Sequence, residues 1–403
     1  MLKNKIIVAM YSTVKGTGWK SSQFIYLKSS FLYKKYNLIF YGMKRRKEKE
    51  EEKETLSYLP MLASSIYYKL SKILNLKRHN GYILGEKIFG YLFSKKIKKE
   101  NADILICKPR PLNIIKNFNG KIILEYGETH PIFMKNKIEH DYSRFNITKK
   151  NQYIYNDPRA IKNSLEAIEH AHSVILLSEE SKKTFTQFYD RIDKFKVISF
   201  PTNISKEIIN QKKEKKIVQN SKTTYICTAF HSFVKGTHLL LEAWKKLDIE
   251  NVELLIAGPL NPDMSQYVNE NGPFKNVKFL GKVNINHLYN SIEKGVGVSL
   301  SHAEGYSRAT QEYLEYGFPV IITQICSLDQ IRDGIEGIII DVNNEKKIID
   351  AIKKMNEFDY YLYSRNNALS CIEELAIKNN VDTYTSRIDT LIKEILNENK
   401  YTR

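Results

Sequence analysis

Two carboxylates and a lysine are the residues of this chain whose spacing suggests chemistry. Glu304 and Glu312 stand eight positions apart in Glu304-Gly-Tyr-Ser-Arg-Ala-Thr-Gln-Glu312, between apolar runs at 296–301 and 317–323. That pattern predicts strand, loop, helix and strand, with one glutamate in a glycine-containing loop and the other two helical turns further on. At the C-terminal edge of a parallel sheet such a pair reaches opposite ends of one ligand. Glu-x7-Glu alone is common, and a glutamate on a helix is usually a solvated charge, so context must carry the assignment. Lys235 precedes Gly236 at the expected start of a helix, where a point charge and free N–H groups together suit phosphate oxygens. Taken singly, Lys235 reads more readily as an ordinary surface lysine.

Those residues need a sheet to hold them. Apolar runs at 224–228, 252–258, 277–281 and 296–300, with an amphipathic helix at 237–247, have the spacing of an α/β domain. Runs at 5–10, 38–41, 103–107 and 121–125 predict a first doubly wound α/β domain. Its first strand leads into a loop with Gly16 and Gly18, whose backbone N–H groups would face a phosphate or an acceptor. Gly-x-Gly without a third glycine is also what a simple tight turn uses. His130 follows the run at 121–125 and is expected at the crevice outside the strand ends. Residues 203–221, rich in Lys, Asn and Gln, read as a linker. The expected division is a first domain at 1–202, the linker, a second domain at 222–370, and a terminal helical segment at 371–403.

Ser301-His-Ala-Glu304-Gly-Tyr306 and Tyr316-Gly-Phe-Pro-Val320 resemble the donor-binding motif of glycosyltransferase family 4, a group 1 type of retaining enzymes with the GT-B fold. The Lys235-Gly236 turn, the helix ending in Glu242-Ala-Trp244, and the Ile-Ala-Gly-Pro and Phe-Leu-Gly strands also follow that family's order. The resemblance is good over about 222–350, rests on element order alone in the first domain, and hardly touches 44–99. It implies two Rossmann-like doubly wound domains facing a central cleft, a nucleoside-diphosphate sugar as donor, retention of configuration, and a terminal helix that returns to the first domain. It further implies that Glu304 faces the donor sugar, Gly305 and Tyr306 present backbone N–H groups to it, and Glu312 accepts from the ribose hydroxyls. Lys235 and Gly236 would meet the diphosphate, and His130 would close the sugar pocket from the opposite domain. Family members usually carry Gly-Arg-x4-Lys-Gly, whereas this chain has Ala229-Phe-His231-Ser-Phe-Val-Lys235. His231 or Ser232 as hydrogen-bond donors, or Arg308 as a second cation, are the replacements for that arginine.

Composition narrows the class. At 403 residues the chain is expected to form two domains. No run of 18 uncharged apolar residues occurs and the N-terminal apolar stretch is too short for a secretory signal, so a cytoplasmic protein is expected. The four cysteines form no C-x-x-C pair and read as buried thiols. No His/Cys cluster has metal-ligand spacing and no Asp-x-Asp occurs, so a metal-independent reaction with no cofactor beyond the donor is expected.

The net charge of +18 is concentrated in residues 1–120, with 25 Lys and Arg against 8 Asp and Glu. A one-sided basic field suits anionic lipid or nucleic acid, but no nucleic-acid recognition motif accompanies it. Mixed charge at 44–54 reads as solvent-exposed. Residues 56–99 interleave aromatic and aliphatic residues with Lys69, Lys72, Lys77, Arg78, Lys87, Lys95, Lys96, Lys98 and Lys99. Such helices either cover a sheet or lie in an anionic membrane interface. The resulting expectation is a glycosyltransferase that acts on a cell-envelope glycan or lipid-linked acceptor, peripheral at the inner face of the cell membrane. A transferase with a soluble acceptor and a catalytically weakened GT-B scaffold subunit stand as alternatives.

Overall fold

The computed structural model describes residues 3–13, 19–74, 79–148, 157–202, 204, 206–341 and 344–398. Two parallel sheets form its centre. The first contains β1 (Lys5–Thr13), β2 (Asn37–Met43), β3 (Glu54–Ser57), β4 (Ile104–Cys107), β5 (Lys121–Glu125), β6 (Ser173–Leu176) and β7 (Phe195–Val197), in the order β3-β2-β1-β4-β5-β6-β7. The second contains β8 (Thr223–Thr228), β9 (Val252–Ala257), β10 (Val277–Gly281), β11 (Lys294–Ser299), β12 (Val320–Thr323) and β13 (Gly337–Ile340), in the order β10-β9-β8-β11-β12-β13. The strand order reverses between β1 and β4 and between β8 and β11, and a crevice for ligands opens beyond the strand ends at such points.

The strand sequences explain why both faces are covered. Ile6, Ile7, Val8 and Ala9 are all buried; Ile6 and Val8 pack on one face of the first sheet, while Ile7 and Ala9 pack on the other. One of those faces is completed from the far end of the chain. Helix Val381–Glu398 supplies Tyr384, Ile388, Leu391, Ile392 and Ile395 to the core around Ile6 and Phe24. Its Asp389 accepts from Lys35 at 2.6 Å and from the Tyr36 hydroxyl at 2.8 Å. The chain passes back at Asn379, which donates to the Phe200 carbonyl at 2.6 Å and accepts from the Thr202 amide at 2.8 Å.

Three features depart from the plain sequence reading. The mixed-charge run at 44–54 ends in β3, an edge strand whose Glu54 is buried and paired with Lys28 at 2.7 Å. The expected linker contains helix Lys206–Glu214, which buries Ile209 against the second domain. Helix Pro131–Arg144 follows β5 in the chain, yet its Met134, Ile138 and Tyr142 pack into the core of the second domain. The Tyr142 hydroxyl donates to Asp263 at 3.0 Å across that seam.

Residues 59–73 and 79–99 form two packed helices with different roles. Helix His79–Lys99 covers the first sheet, placing Phe89, Phe93 and Ile97 in its core. Helix Leu59–Ile73 lies outside it, close-packed at Gly85, where a Cβ would stand 2.7 Å from the Pro60 carbonyl. Leu59, Leu62, Ile66, Leu70 and Ile73 of this outer helix are between 42% and 79% exposed. All four cysteines are buried and unpaired. Among the described residues, no helix is long and apolar enough to cross a membrane.

Candidate functional site

Beyond β8 the chain turns through residues 229–236 before helix Thr237–Lys245. His231 anchors this turn from inside: Nδ1 lies 2.8 Å from Thr237 Oγ1 and Nε2 lies 3.1 Å from the Ala257 carbonyl. Burial lowers its pKa to about 4, so the ring is neutral at physiological pH. Both ring nitrogens are engaged inside the loop, and the ring does not line the cleft; the neighbouring Ser232 does. Gly236 has φ of 65°, and a Cβ there would meet the Leu300 carbonyl oxygen at 1.9 Å. The turn therefore admits only glycine, and it delivers Lys235 to the cleft.

Lys235 Nζ lies 2.5 Å from Glu304 Oε2. Burial would lower the lysine's pKa, but the adjacent carboxylate outweighs it and holds the ammonium above its ordinary value. Glu304 sits in the loop after β11, and that loop is pressed against the first domain. A Cβ on Gly305 would stand 2.1 Å from the Gly127 carbonyl oxygen, and the Ser178 hydroxyl donates to the Gly305 carbonyl at 2.9 Å. Ser178 also caps helix Glu179–Thr186, so a single hydroxyl serves a first-domain helix and a second-domain loop.

Helix Arg308–Glu315 begins at Ser307, whose hydroxyl accepts from the Thr310 amide. Arg308 reaches the cleft with its guanidinium 5.2 Å from the Phe200 ring, and Nη2 lies 3.6 Å from Glu312 Oε1. Glu312 stands one turn behind Arg308, set back from the cavity wall. Burial raises its pKa above the usual glutamate value, and Arg308 partly opposes that. Tyr306 is buried, and its hydroxyl donates to Gln311 at 2.8 Å. Together these elements enclose a cavity of about 330 Å³ between Lys235, Glu304, Arg308 and the Gly127–Glu128 turn.

His130 is placed differently from the expectation. Its ring is buried, stacked on Phe188 at 4.0 Å and edge-on to Phe185 at 5.3 Å, and burial lowers its pKa to about 4. Neither ring nitrogen has a hydrogen-bond partner among the described residues. Met134, one turn along the same helix, lines the cavity instead. Gly16 and Gly18 lie outside the described residues. The structure thus gathers Lys235, Glu304, Gly305, Tyr306 and Arg308 around one cavity with Gly236 and Glu312 behind them, and leaves His130 and His231 out of its wall.

Sequence reasoning missed Gly127, Glu128 and Ser178, although Gly127 and Glu128 sit just past a predicted strand end, where a crevice residue belongs. They also border a second, smaller cavity beside Tyr11, Tyr82, Lys108 and Arg110 at the ends of β1 and β4. Lys108 pairs there with Glu125 at 2.5 Å, and Arg110 lies 3.6 Å from Glu86. A further group, Asp141, His238 and His302, meets at the domain seam and has the ligand types of a metal site.

Residues 208–367 match the family model of glycosyl transferases group 1. The whole chain has the fold of several solved structures at low identity. Sucrose-phosphate synthase from Thermosynechococcus elongatus matches with a TM-score of 0.66 at 13% identity, over 98% of this chain and 100% of that one. The lipopolysaccharide outer core galactosyltransferase WaaB in its apo form gives 0.62 at 15% identity, over 97% and 99%. The Anabaena protein HepE in complex with UDP and glucose gives 0.61 at 15% identity, over 97% and 100%. No curated protein sequence matches the chain. The two facing parallel α/β domains and the cleft between them have the GT-B architecture that these solved structures share. Lys235, Glu304 and Glu312 all lie in the segment that matches the group 1 glycosyl transferase model.

Proposed function

We propose that the enzyme transfers a sugar from a nucleoside-diphosphate sugar to a lipid-linked or cell-envelope glycan acceptor at an anionic membrane surface, with retention of configuration and without a metal on the diphosphate. The observation that carries this reading is the Lys235–Glu304 pair, held in a cavity walled by both domains. Departure of the diphosphate needs positive charge at its oxygens. Lys235, the N-terminus of helix Thr237–Lys245 and Arg308 supply it. Arg308 suits the role of the missing family arginine better than His231, whose nitrogens are already engaged. For retention, the acceptor hydroxyl approaches on the leaving-group face and the departing phosphate takes its proton. Contact between Gly305 and the Gly127 turn keeps water from the donor. Because HepE has been solved with UDP-glucose, that sugar nucleotide is the first donor to try.

The acceptor side is supported by the second cavity and the helix above it. Lys108 and Arg110 line that cavity together with Glu125 and Glu128, a wall of mixed charge suited to the hydroxyls of a sugar acceptor. Tyr11, in the same wall, lies 3.2 Å from Ser64 on helix Leu59–Ile73, the helix with the exposed apolar stripe. A stripe dipped into lipid would therefore hold the acceptor cavity close to the bilayer.

The test is transfer from labelled UDP-glucose in the presence of anionic vesicles containing a polyprenyl-phosphate-linked sugar, with GDP- and CMP-sugars as controls and the product anomer read by NMR. A retained anomer formed only with the lipid acceptor supports the reading. Equal transfer to soluble sugars overturns the membrane part, and an inverted anomer overturns retention.

A further inference from the structure

Three distant segments converge at the seam between the domains. Asp141, on helix Pro131–Arg144, directs Oδ2 at two histidines of the second domain, 2.8 Å from His238 Nε2 and 2.7 Å from His302 Nε2. His238 lies on helix Thr237–Lys245, His302 lies in the loop after β11, and all three residues are buried. One carboxylate oxygen can accept from two imidazole N–H groups, yet only one of these two is aligned to donate. His238 Nε2 makes a directed bond to Asp141. His302 Nε2 points at the same oxygen without hydrogen-bond geometry, and His238 Nδ1 has no partner among the described residues. Buried polar atoms are paired as a rule, so an unsatisfied imidazole nitrogen aimed into a His/His/Asp group needs an explanation.

We propose that Asp141, His238 and His302 bind one divalent transition-metal ion, zinc being the best match, with two imidazole nitrogens, one carboxylate oxygen and a water as ligands. The candidate ligand atoms lie within 4.8 Å of one another, so small side-chain shifts bring them to the distances of about 2.0–2.2 Å that such a site uses. Phe233 stacks on the His238 ring at 3.9 Å and Phe145 meets it edge-on at 5.0 Å, so packing, and not a hydrogen bond to its outer nitrogen, fixes the plane of the ring. An open groove bordered by Phe133, Lys137, His140, Arg144 and Phe188 reaches Asp141 and His302, and provides an entry path and room for the water.

The ion would act on position rather than on the diphosphate. Its ligands come from both domains, so it would clamp the seam. The His302 amide donates to the Val234 carbonyl at 2.8 Å, next to Lys235, and Glu304 follows two residues later. An ion on His302 therefore fixes the two segments that carry the Lys235–Glu304 pair. The site is independent of the donor and acceptor proposed above.

Titration of the chelator-treated full chain with Co²⁺ and Zn²⁺ tests it, by calorimetry and by the ligand-field absorption of bound cobalt. One equivalent of Co²⁺ should bind with the absorption of a low-coordinate site, zinc should displace it, and zinc should raise the melting temperature. Losing even an outer partner of a metal ligand typically weakens binding about 10–100-fold. His302→Ala, which removes a ligand outright, should lose at least as much and show no zinc-dependent melting shift. Asp141→Asn should behave likewise if its circular dichroism shows it folded. Absence of one-equivalent binding by the unmodified protein, or equal binding by a folded His302→Ala, overturns the proposal.

Discussion

Lys235 Nζ and Glu304 Oε2, 2.5 Å apart, join the turn before one helix to the loop before another, so neither group can change partner without affecting the other. A diphosphate that enters the cavity competes with Glu304 for the ammonium. Substitutions at the two positions should therefore act in opposite directions on nucleotide binding. Lys235→Ala should weaken UDP and lower kcat by about a hundredfold or more, as loss of an electrostatic stabiliser does. Glu304→Gln should bind UDP at least as tightly while turnover falls. Calorimetry with UDP beside steady-state kinetics decides the matter, and parallel losses of UDP affinity in both variants would refute the exchange.

Gly305 offers a separate test of domain contact, because its missing side chain faces the Gly127 backbone rather than its own domain. Gly305→Ala should leave each domain folded and push the two loops apart. A displacement on the order of 1 Å at a reacting centre costs about a hundredfold in rate. The expected result is a kcat/KM lowered by that order with a melting temperature close to the parent. A variant as active as the parent would show that the two loops separate during the reaction.

Glu312 predicts a pH dependence whose sign follows from burial. Burial raises its pKa above the ordinary glutamate value, and Arg308 opposes this in part. If the carboxylate is the form that accepts from the ribose, donor affinity is present above this raised pKa and is lost as pH falls through it, earlier than for an exposed glutamate. Folding responds in the opposite sense, since the native state holds the proton more tightly than the unfolded chain and gains stability as pH falls through the same range. Glu312→Gln should flatten the affinity profile and raise the melting temperature slightly at neutral pH. Glu315 is also raised by burial and lies on the same helix, so Glu315→Gln is the control that should leave the affinity profile in place.

The parts of this site legible in the sequence are those set by local spacing. Glu304, Gly305, Arg308 and Glu312 belong to one strand-loop-helix unit, and Gly236 marks a turn that no other residue fits. What was not legible depends on which buried surface a side chain meets. His130 follows a strand as a crevice residue should, yet Phe185 of helix Glu179–Thr186 and Phe188 just beyond it, some 55 residues later, take up its ring. Asp141, His238 and His302 are separated by 97 and 64 positions, so no ligand-spacing rule reveals them. Helices Leu59–Ile73 and His79–Lys99 are both amphipathic, and only packing against Tyr11 and Tyr41 decides that the second lies inside and the first outside.

That division also revises which residues should meet a membrane. Helix His79–Lys99 starts near Tyr67 and Tyr68 of the outer helix and runs back to the N-terminal edge of the sheet, where Lys98 borders a groove with Asp103 and Lys121. Over a length of about 30 Å it carries Lys95, Lys96, Lys98 and Lys99 away from the exposed stripe. The stripe of Leu62, Ile66 and Leu70, flanked by exposed Lys69, is thus the surface expected to enter lipid. Ile66→Asp with Leu70→Asp should release the protein from anionic vesicles. Because both side chains are exposed, stability should change by only about 0.5 kcal/mol per site. Replacing Lys95, Lys96, Lys98 and Lys99 with Gln should have the smaller effect on vesicle binding. Co-sedimentation with phosphatidylglycerol vesicles, in parallel with thermal melts, distinguishes these outcomes. If the lysine variant dissociates while the aspartate variant stays bound, the membrane-facing surface is the basic end of the inner helix and the apolar stripe is not the contact.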